Sequence, residues 1–423
     1  MHGDLTLSPD LVRLLDTREM QRLRGIKQLG TASLVYPGAV HTRFDHSLGT
    51  CGMADRLLGV LEAHGVEVPE EVRRVVLAAA LIHDVGHIPF GHTIEDERRL
   101  FPRHDTPSRL RALLRGGELG RELKRQGLSG PVLDLLAGKA RPSWPGEIVS
   151  GTLCADLLDY LARDAYFCGL PQRYDPRILR SFRVDSQHLY LEAEKEGIVR
   201  EDVVSEVVNL LRLRYFLTER VFFHHTKTAS GAMVSRAVEQ ATRSGLTLED
   251  LLPLTDERLM ALLETRYGRD PVVARLTSAL ASRRLHKRAF VLTRAIGETV
   301  RMGLVERYHL DPARRQEAED HLVRRLRFSE GDLIVYCPAA GMQLKEAEVR
   351  LTVGPGGPVS LASLNVPEVG VLREKHQDLW RFYVFVAPER MDQARQVSRE
   401  CEDYFGVENH LPALQSGQRF LGL

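Results

Sequence analysis

The chain has 423 residues, 43% hydrophobic and 27% charged, the balance of a folded globular protein, which excludes collagen, coiled coil and wholesale disorder. Its 58 basic residues balance 57 acidic ones, so a net charge of +1 gives no global drive towards nucleic acid or an anionic membrane. No apolar run approaches the ~20 residues of a membrane helix, and the five scattered cysteines form neither a disulfide framework nor a zinc motif.

No basic stretch followed by an apolar one opens the chain, so a reduced, cytoplasmic protein is expected. Residues 8–29 read as a turn and then an amphipathic helix, with Leu11, Leu14, Leu15, Met20, Leu23 and Ile26 on its apolar side. Pro37-Gly38 marks a turn. Helical spacing recurs over 46–63, 70–84, 107–115, 147–168 and 201–240, and in several segments between 247 and 325. The Pro-bracketed stretch 141–145 stops one helix before the next. Beyond about 325 the texture changes. Residues 332–337 and 380–386 are rich in β-formers, 353–358 is a Gly/Pro turn, and 388–405 reads as a helix. The expected architecture is mainly α: a helical core over 1–240, a helical extension over 241–325 offering a subunit contact, and a small α+β C-terminal subdomain over 326–423.

Histidine is unevenly spread, with seven of 16 falling between His41 and His104. The very apolar helix ending at residue 82 runs into His83-Asp84, and an unpaired buried carboxylate there is costly. A divalent metal would satisfy both groups, since imidazole and carboxylate suit Zn, Fe, Mn and similar ions. If that helix continued to His87, His83 and His87 would share a face. Upstream, His46 precedes another apolar helix. Downstream, a helix over 153–169 carries Asp156, Tyr160 and Asp164 at spacings of four, and so on one face. Singly, each of these is an ordinary core or capping residue. Together, three segments point to a metal.

The ordered pattern His46, His83-Asp84, Asp156 resembles the H…HD…D signature of HD-domain phosphohydrolases. Flanking residues sharpen it: Asp16-Thr17, Gln21 to Arg24, Ile26 to Gly30, Tyr36 to Ala39, Arg43-Phe44 and His46 to Gly49. With His87, Pro89-Phe90, His92 and Asp159 to Asp164, these are similar to the deoxynucleoside triphosphate triphosphohydrolase branch, over roughly residues 2–240. The resemblance implies an HD-domain helical core in which His46, His83, Asp84 and Asp156 hold one divalent metal (Mn, Fe, Zn, Co or Mg), with room for a second Mg on the substrate phosphates. It puts Arg43, His87, His92 and His104 on the phosphates or in proton transfer. It assigns Gln28, Leu29, Tyr160 and Asp164 to the sugar pocket, Arg214 to the outer phosphates and Phe222 to the sugar and base. Asp16, Gln21 and Arg24 match a guanine-nucleotide regulatory site, and relatives are dimers or tetramers. Two departures bear on triphosphate preference: the lysine after the last metal aspartate is Leu157 here, and a phosphate-side histidine becomes Thr218.

Hydrolysis at the α-phosphorus expels a 5′-alkoxide that needs a proton. His92 is the expected acid, with Glu95 as its orienting carboxylate, while His87 and Arg43 stabilise phosphate charge. The expected function is metal-dependent hydrolysis of deoxynucleoside triphosphates. The alternatives are a phosphatase or phosphodiesterase on another nucleotide or nucleic-acid end, and a nucleotide-sensing or RNA-binding module with little turnover. A nucleotide is the expected partner; balanced charge does not indicate nucleic acid. His224-His225 reads as a helix-surface pair, and the clusters at Arg283-Arg284 and 324–327 as solvated faces.

Overall fold

A computed structural model describes residues 3–341, 344–354 and 356–416. Met1, His2, Pro355 of the expected turn at 353–358, and 417–423 of the expected C-terminal subdomain lie outside the described residues. With 61% helix and 9% strand, the chain is mainly α, as the spacing predicts.

The N-terminal segment forms two short helices, α1 (Pro9–Leu15) and α2 (Arg18–Arg22), rather than one. Thr17 sits at the break, where its hydroxyl donates to the Leu14 carbonyl at 2.7 Å and competes with helix continuation. Next come α3 (Arg43–Ala63) and α4 (Glu70–Ile82), packed on each other, then α5 (Pro107–Arg115), α6 (Gly117–Arg125) and α7 (Ser129–Leu136). The helix expected over 147–168 is two, α8 (Trp144–Ser150) and α9 (Ala155–Phe167). Gly151 ends the first by folding so tightly that a Cβ there would lie 2.4 Å from the Glu147 carbonyl oxygen. Likewise α10 (Glu201–Leu217) passes into a π-turn at Thr218–Phe222 before α11 (His225–Arg243) begins. After α12 (Leu248–Leu251), α13 (Asp256–Arg266) and α14 (Pro271–Ala281) pack on α11.

Between α9 and α10 lie β1 (Phe182–Val184), β2 (Leu189–Glu192) and the small hairpin β3 (Glu194–Lys195) and β4 (Ile198–Val199). Further on are β5 (Lys287–Thr293), α15 (Glu298–Tyr308), α16 (Pro312–Leu326) and β6 (Leu333–Tyr336). The remainder comprises β7 (Arg350–Thr352), β8 (Val359–Ser360), α17 (Pro367–Gln377), β9 (Arg381–Val386), α18 (Ala394–Phe405) and α19 (Leu411–Gln415).

Two of these placements correct the sequence reading. Residues 241–325 are not helical throughout, because β5 joins an antiparallel sheet of order β5-β9-β6. Its side chains alternate: Val291 packs with α11 and α14, while Phe290 and Leu292 pack with α15, α16 and α18. A short run apolar on both faces has the period of neither helix nor half-buried strand. The tail after 325 is also not self-contained. β7 pairs in parallel with β2, Leu351 opposite Leu191, both fully buried, and α17 packs on α10. The boundary expected near 325 is thus crossed by two sheets.

Candidate functional site

Thr42 caps α3. Its hydroxyl accepts from the Asp45 backbone N–H at 3.3 Å, and Asp45 Oδ2 accepts from the Thr42 N–H at 2.8 Å. That fixes Arg43 and His46, three apart, on the buried side of the first turn. The last two turns of α4 are wholly apolar and, apart from the partly buried Leu77, buried, and the helix stops at Ile82 with His83 as its cap. It does not continue to His87, correcting the shared face expected for that pair. At Gly86 the chain passes so close to the turn carrying His104 that a Cβ would stand 2.7 Å from the His104 carbonyl oxygen. Helix α9 delivers the carboxylates of Asp156, Asp159 and Asp164. It approaches α3 at Gly49, where a Cβ would lie 1.9 Å from Asp159 Oδ1.

These three segments bring the four expected ligands together. His46 Nε2 lies 3.0 Å from Asp156 Oδ1 and 4.0 Å from Asp84 Oδ2. His83 Nε2 lies 3.5 Å from Asp84 Oδ1 and 3.9 Å from Asp156 Oδ1. Ligand atoms each ~2.1 Å from one ion stand about 3–4 Å apart, so His46, His83 and Asp84 fit a divalent metal, with Asp156 Oδ1 within 3.9 Å of both imidazole nitrogens. His83 Nε2 strengthens the fit: it is buried with no hydrogen-bond partner, while Nδ1 is engaged by the Ala80 carbonyl at 2.9 Å. Asp159 carries a role the sequence reading did not assign. Its Oδ2 is 2.8 Å from His46 Nδ1, and Arg163 grips both its oxygens at 2.8 Å, so the imidazole is oriented from behind. Burial works against a charged His46, yet Asp156 and Asp159 raise it to about 10. Burial likewise opposes ionisation of Asp84, but Arg43, bonded to it at 2.6 Å, holds it well below the usual carboxylate range.

The other histidines divide. His87 and His104 stack with ring centroids 3.4 Å apart, and burial brings both down to about 3. Glu95 Oε2 lies 3.1 Å from His104 Nδ1 and 3.5 Å from His87 Nδ1, and Arg109 pairs with Oε1 at 3.1 Å. Glu95 therefore does not orient His92, contrary to expectation. The π-turn Thr93–Glu97 aims Glu95 inward and sets Asp96 Oδ2 3.0 Å from His92 Nδ1.

A cavity of about 990 Å³ opens over these groups. It is lined by Arg43, His46, His83, Asp84, Asp156, His92 and His104, and by Gln28, Leu29, Tyr160, Asp164, Arg214 and Phe222. His87 and Glu95 lie behind its wall. The Arg214 guanidinium is 5.2 Å from the Tyr160 ring and 5.4 Å from the Phe222 ring, a cation–π arrangement that holds its charge in the cavity. Asp164 Oδ1 is held by His41 Nε2 at 2.8 Å. Leu157 lines the cavity, whereas Thr218 turns its hydroxyl to the Arg214 carbonyl at 2.8 Å. Asp16, Gln21 and Arg24 lie outside. Arg24 Nε donates to Gln21 Oε1 at 2.8 Å and stacks over Phe44 at 3.6 Å, while Asp16 is exposed at the end of α1. His224 and His225 stack half-buried at the start of α11, between the lining residues Phe223 and Lys227 but not themselves lining the cavity. Lining residues that no local pattern announces are Glu97, Lys227 of α11 and Tyr336 of β6.

Residues 43–164 match the HD domain, and residues 184–414 match the HD associated region. The chain is 32% identical over 270 residues to an uncharacterized protein of Methanocaldococcus jannaschii, covering 62% of this chain and 53% of that protein. It is 28% identical over 337 residues to the deoxynucleoside triphosphate triphosphohydrolase SAMHD1 of Mus musculus, covering 66% of this chain and 51% of that protein. The chain thus spans about half the length of these relatives. A crystal structure of a phosphohydrolase from Bacteroides thetaiotaomicron shares the fold, with a TM-score of 0.69 at 22% identity, covering 91% of this chain and 96% of that one.

Proposed function

The chain belongs to the HD-domain family, with the HD-associated region following the HD domain, and on that premise we propose that it hydrolyses deoxynucleoside triphosphates to deoxynucleoside and triphosphate. The observation that carries this reading is the convergence of His46, His83, Asp84 and Asp156 on one wall of a cavity that also holds Arg43, His92 and Arg214. Those four residues would hold a divalent ion, which would supply polarisation of the α-phosphate and a lowered pKa for the attacking water. Arg43, anchored by Asp84, sets its remaining N–H donors against the phosphate oxygens as charge builds there. Arg214 neutralises the outer phosphates. Water adds to the α-phosphorus, the bond from phosphorus to O5′ breaks, and O5′ takes a proton. His92 supplies it, since its Nδ1 is fixed by Asp96 and its ring faces the cavity, leaving Nε2 for the leaving group. His104 lines the wall and His87, stacked on it, fixes that wall's shape from behind. Gln28, Leu29, Tyr160 and Asp164 seat the sugar.

One observation favours a second reading. Leu157 contributes no charge to the cavity, which suits a substrate with fewer phosphates, cleaved as a monoester or diester. The test is a product screen on dNTPs, rNTPs and short oligonucleotides with Mn²⁺, Mg²⁺ and Co²⁺. Inorganic triphosphate from dNTPs is expected; orthophosphate or mononucleotides instead would replace this reading with the second. His92→Ala should abolish turnover with metal content unchanged, and full activity in that variant would sink the assignment of the acid.

A further inference from the structure

One wall of the cavity is polar without being part of the metal centre, and its makers come from three distant segments. Lys227 belongs to the first turn of α11, Glu97 to the end of the π-turn after His92, and Tyr336 to the end of β6. Their neighbourhood is fixed by contacts. The Lys227 carbonyl accepts from Thr31 Oγ1 at 3.2 Å, which sets the start of α11 against the segment carrying Leu29. A Cβ at Gly231, one turn after Lys227, would stand 2.7 Å from Glu97 Oε1, so only glycine leaves that carboxyl its seat; Ser235 bonds its other oxygen at 3.4 Å. Glu97 feels the charge of Lys227, yet no ion pair joins them within 4.0 Å among the described residues. Burial, with Glu97 nearby, holds the Tyr336 phenol well above its usual range, so it remains an O–H.

This wall begins where the proposed sugar-facing residues Gln28 and Leu29 end. Above about pH 7, where the Glu97 carboxyl is ionised, a ligand moiety there meets an ammonium that can only donate and a carboxylate that accepts. Guanine, hypoxanthine, thymine and uracil present that complement, a carbonyl oxygen next to a ring N–H. Adenine and cytosine present the reverse, an amino group next to a bare ring nitrogen. They would set donor against donor at Lys227 and acceptor against acceptor at Glu97. Resting on the reading of this cavity as a nucleotide site, we propose that Lys227 and Glu97 read the nucleobase edge and select bases with a carbonyl beside a ring N–H.

The experiment uses the full chain loaded with Mn²⁺ and measures binding of deoxyguanosine, deoxyinosine, thymidine, deoxyadenosine and deoxycytidine by equilibrium dialysis. The first three should bind ~10-fold or more tightly than the last two, the cost of leaving enclosed polar groups unmatched. Lys227→Met, which keeps an unbranched chain one atom shorter, and separately Glu97→Gln should bring all five within about 3-fold of one another as the charged hydrogen bonds are lost. Equal binding by the unmodified protein, no measurable binding, or a preference that survives in both variants would overturn the proposal. Failure of the reaction class shows elsewhere: no triphosphate from any dNTP would remove that reading while a base preference in nucleoside binding stood.

Discussion

The segment that carries His92, Glu95 and Asp96 is held from behind by a buried ion cluster, and breaking it should cost stability. Arg98 follows that segment directly. Its Nη1 pairs with Glu239 Oε2 at 2.6 Å and its Nη2 with Glu319 Oε1 at 2.5 Å. Arg315 meets Glu239 Oε1 at 3.0 Å, and Arg236 meets Glu319 Oε2 at 3.2 Å. All five are buried, three cations against two anions, and Glu319 also accepts from the Val335 N–H at 2.9 Å, tying β6 to the cluster. Glu319→Gln keeps the shape but leaves three guanidinium groups facing Glu239 alone. Each close contact is worth about 4 kcal/mol gross at an effective dielectric of 20. Because the stranded charges stay desolvated, the net loss should be about 3–5 kcal/mol. Urea unfolding reads this as a lowered midpoint at unchanged slope. The double variant Arg98→Met/Glu319→Leu should recover part of the loss, since it removes charges from both signs. A Glu319→Gln loss below about 1 kcal/mol would refute the claim that these charges depend on one another.

Asp159→Asn should leave the fold intact yet lower metal affinity ~10–100-fold, because His46 loses the carboxylate that orients it; metal retained after dialysis checks this. Gly49→Ala should destabilise by about 1–3 kcal/mol, seen in urea unfolding, because its methyl falls on Asp159 and forces α3 from α9. Burial raises the Glu97 carboxyl from its ordinary 4.5 to about 7, so the folded chain binds this proton more tightly than the unfolded one. Its contribution to stability is therefore complete below about pH 4.5 and lost as pH rises through 7. Thermal melts should show Glu97→Gln removing that part of the decline between pH 5 and 8, and an unaltered profile would count against the raised carboxyl.

What the sequence discloses of this site follows from how local each interaction is. His83-Asp84 stands out because an apolar helix ends on it, and Asp156, Tyr160 and Asp164 because four-residue spacing puts them on one face of α9. Asp159 lies within the same helix, but its partner is 113 residues away, and nothing in α9 distinguishes it from a surface carboxylate. The exchange of Glu95 for Asp96 beside His92 turns on a single π-turn, a change of register that apolar periodicity does not record. Tyr336 and Lys227 reach the cavity only through packing of the sheet on α11, so their strand and helix look like ordinary core elements in isolation.

The sheet order has a consequence for synthesis. All four proposed metal-binding side chains have been made once residue 156 leaves the ribosome, yet β6, which carries Tyr336 into the cavity, pairs with neither β5 nor any other strand except β9 among the described residues. Until residues 381–386 emerge, β6 has no ladder to join, and the wall it completes stays open. A nascent chain therefore carries the four proposed ligands for more than two hundred residues of translation before the cavity around them can close.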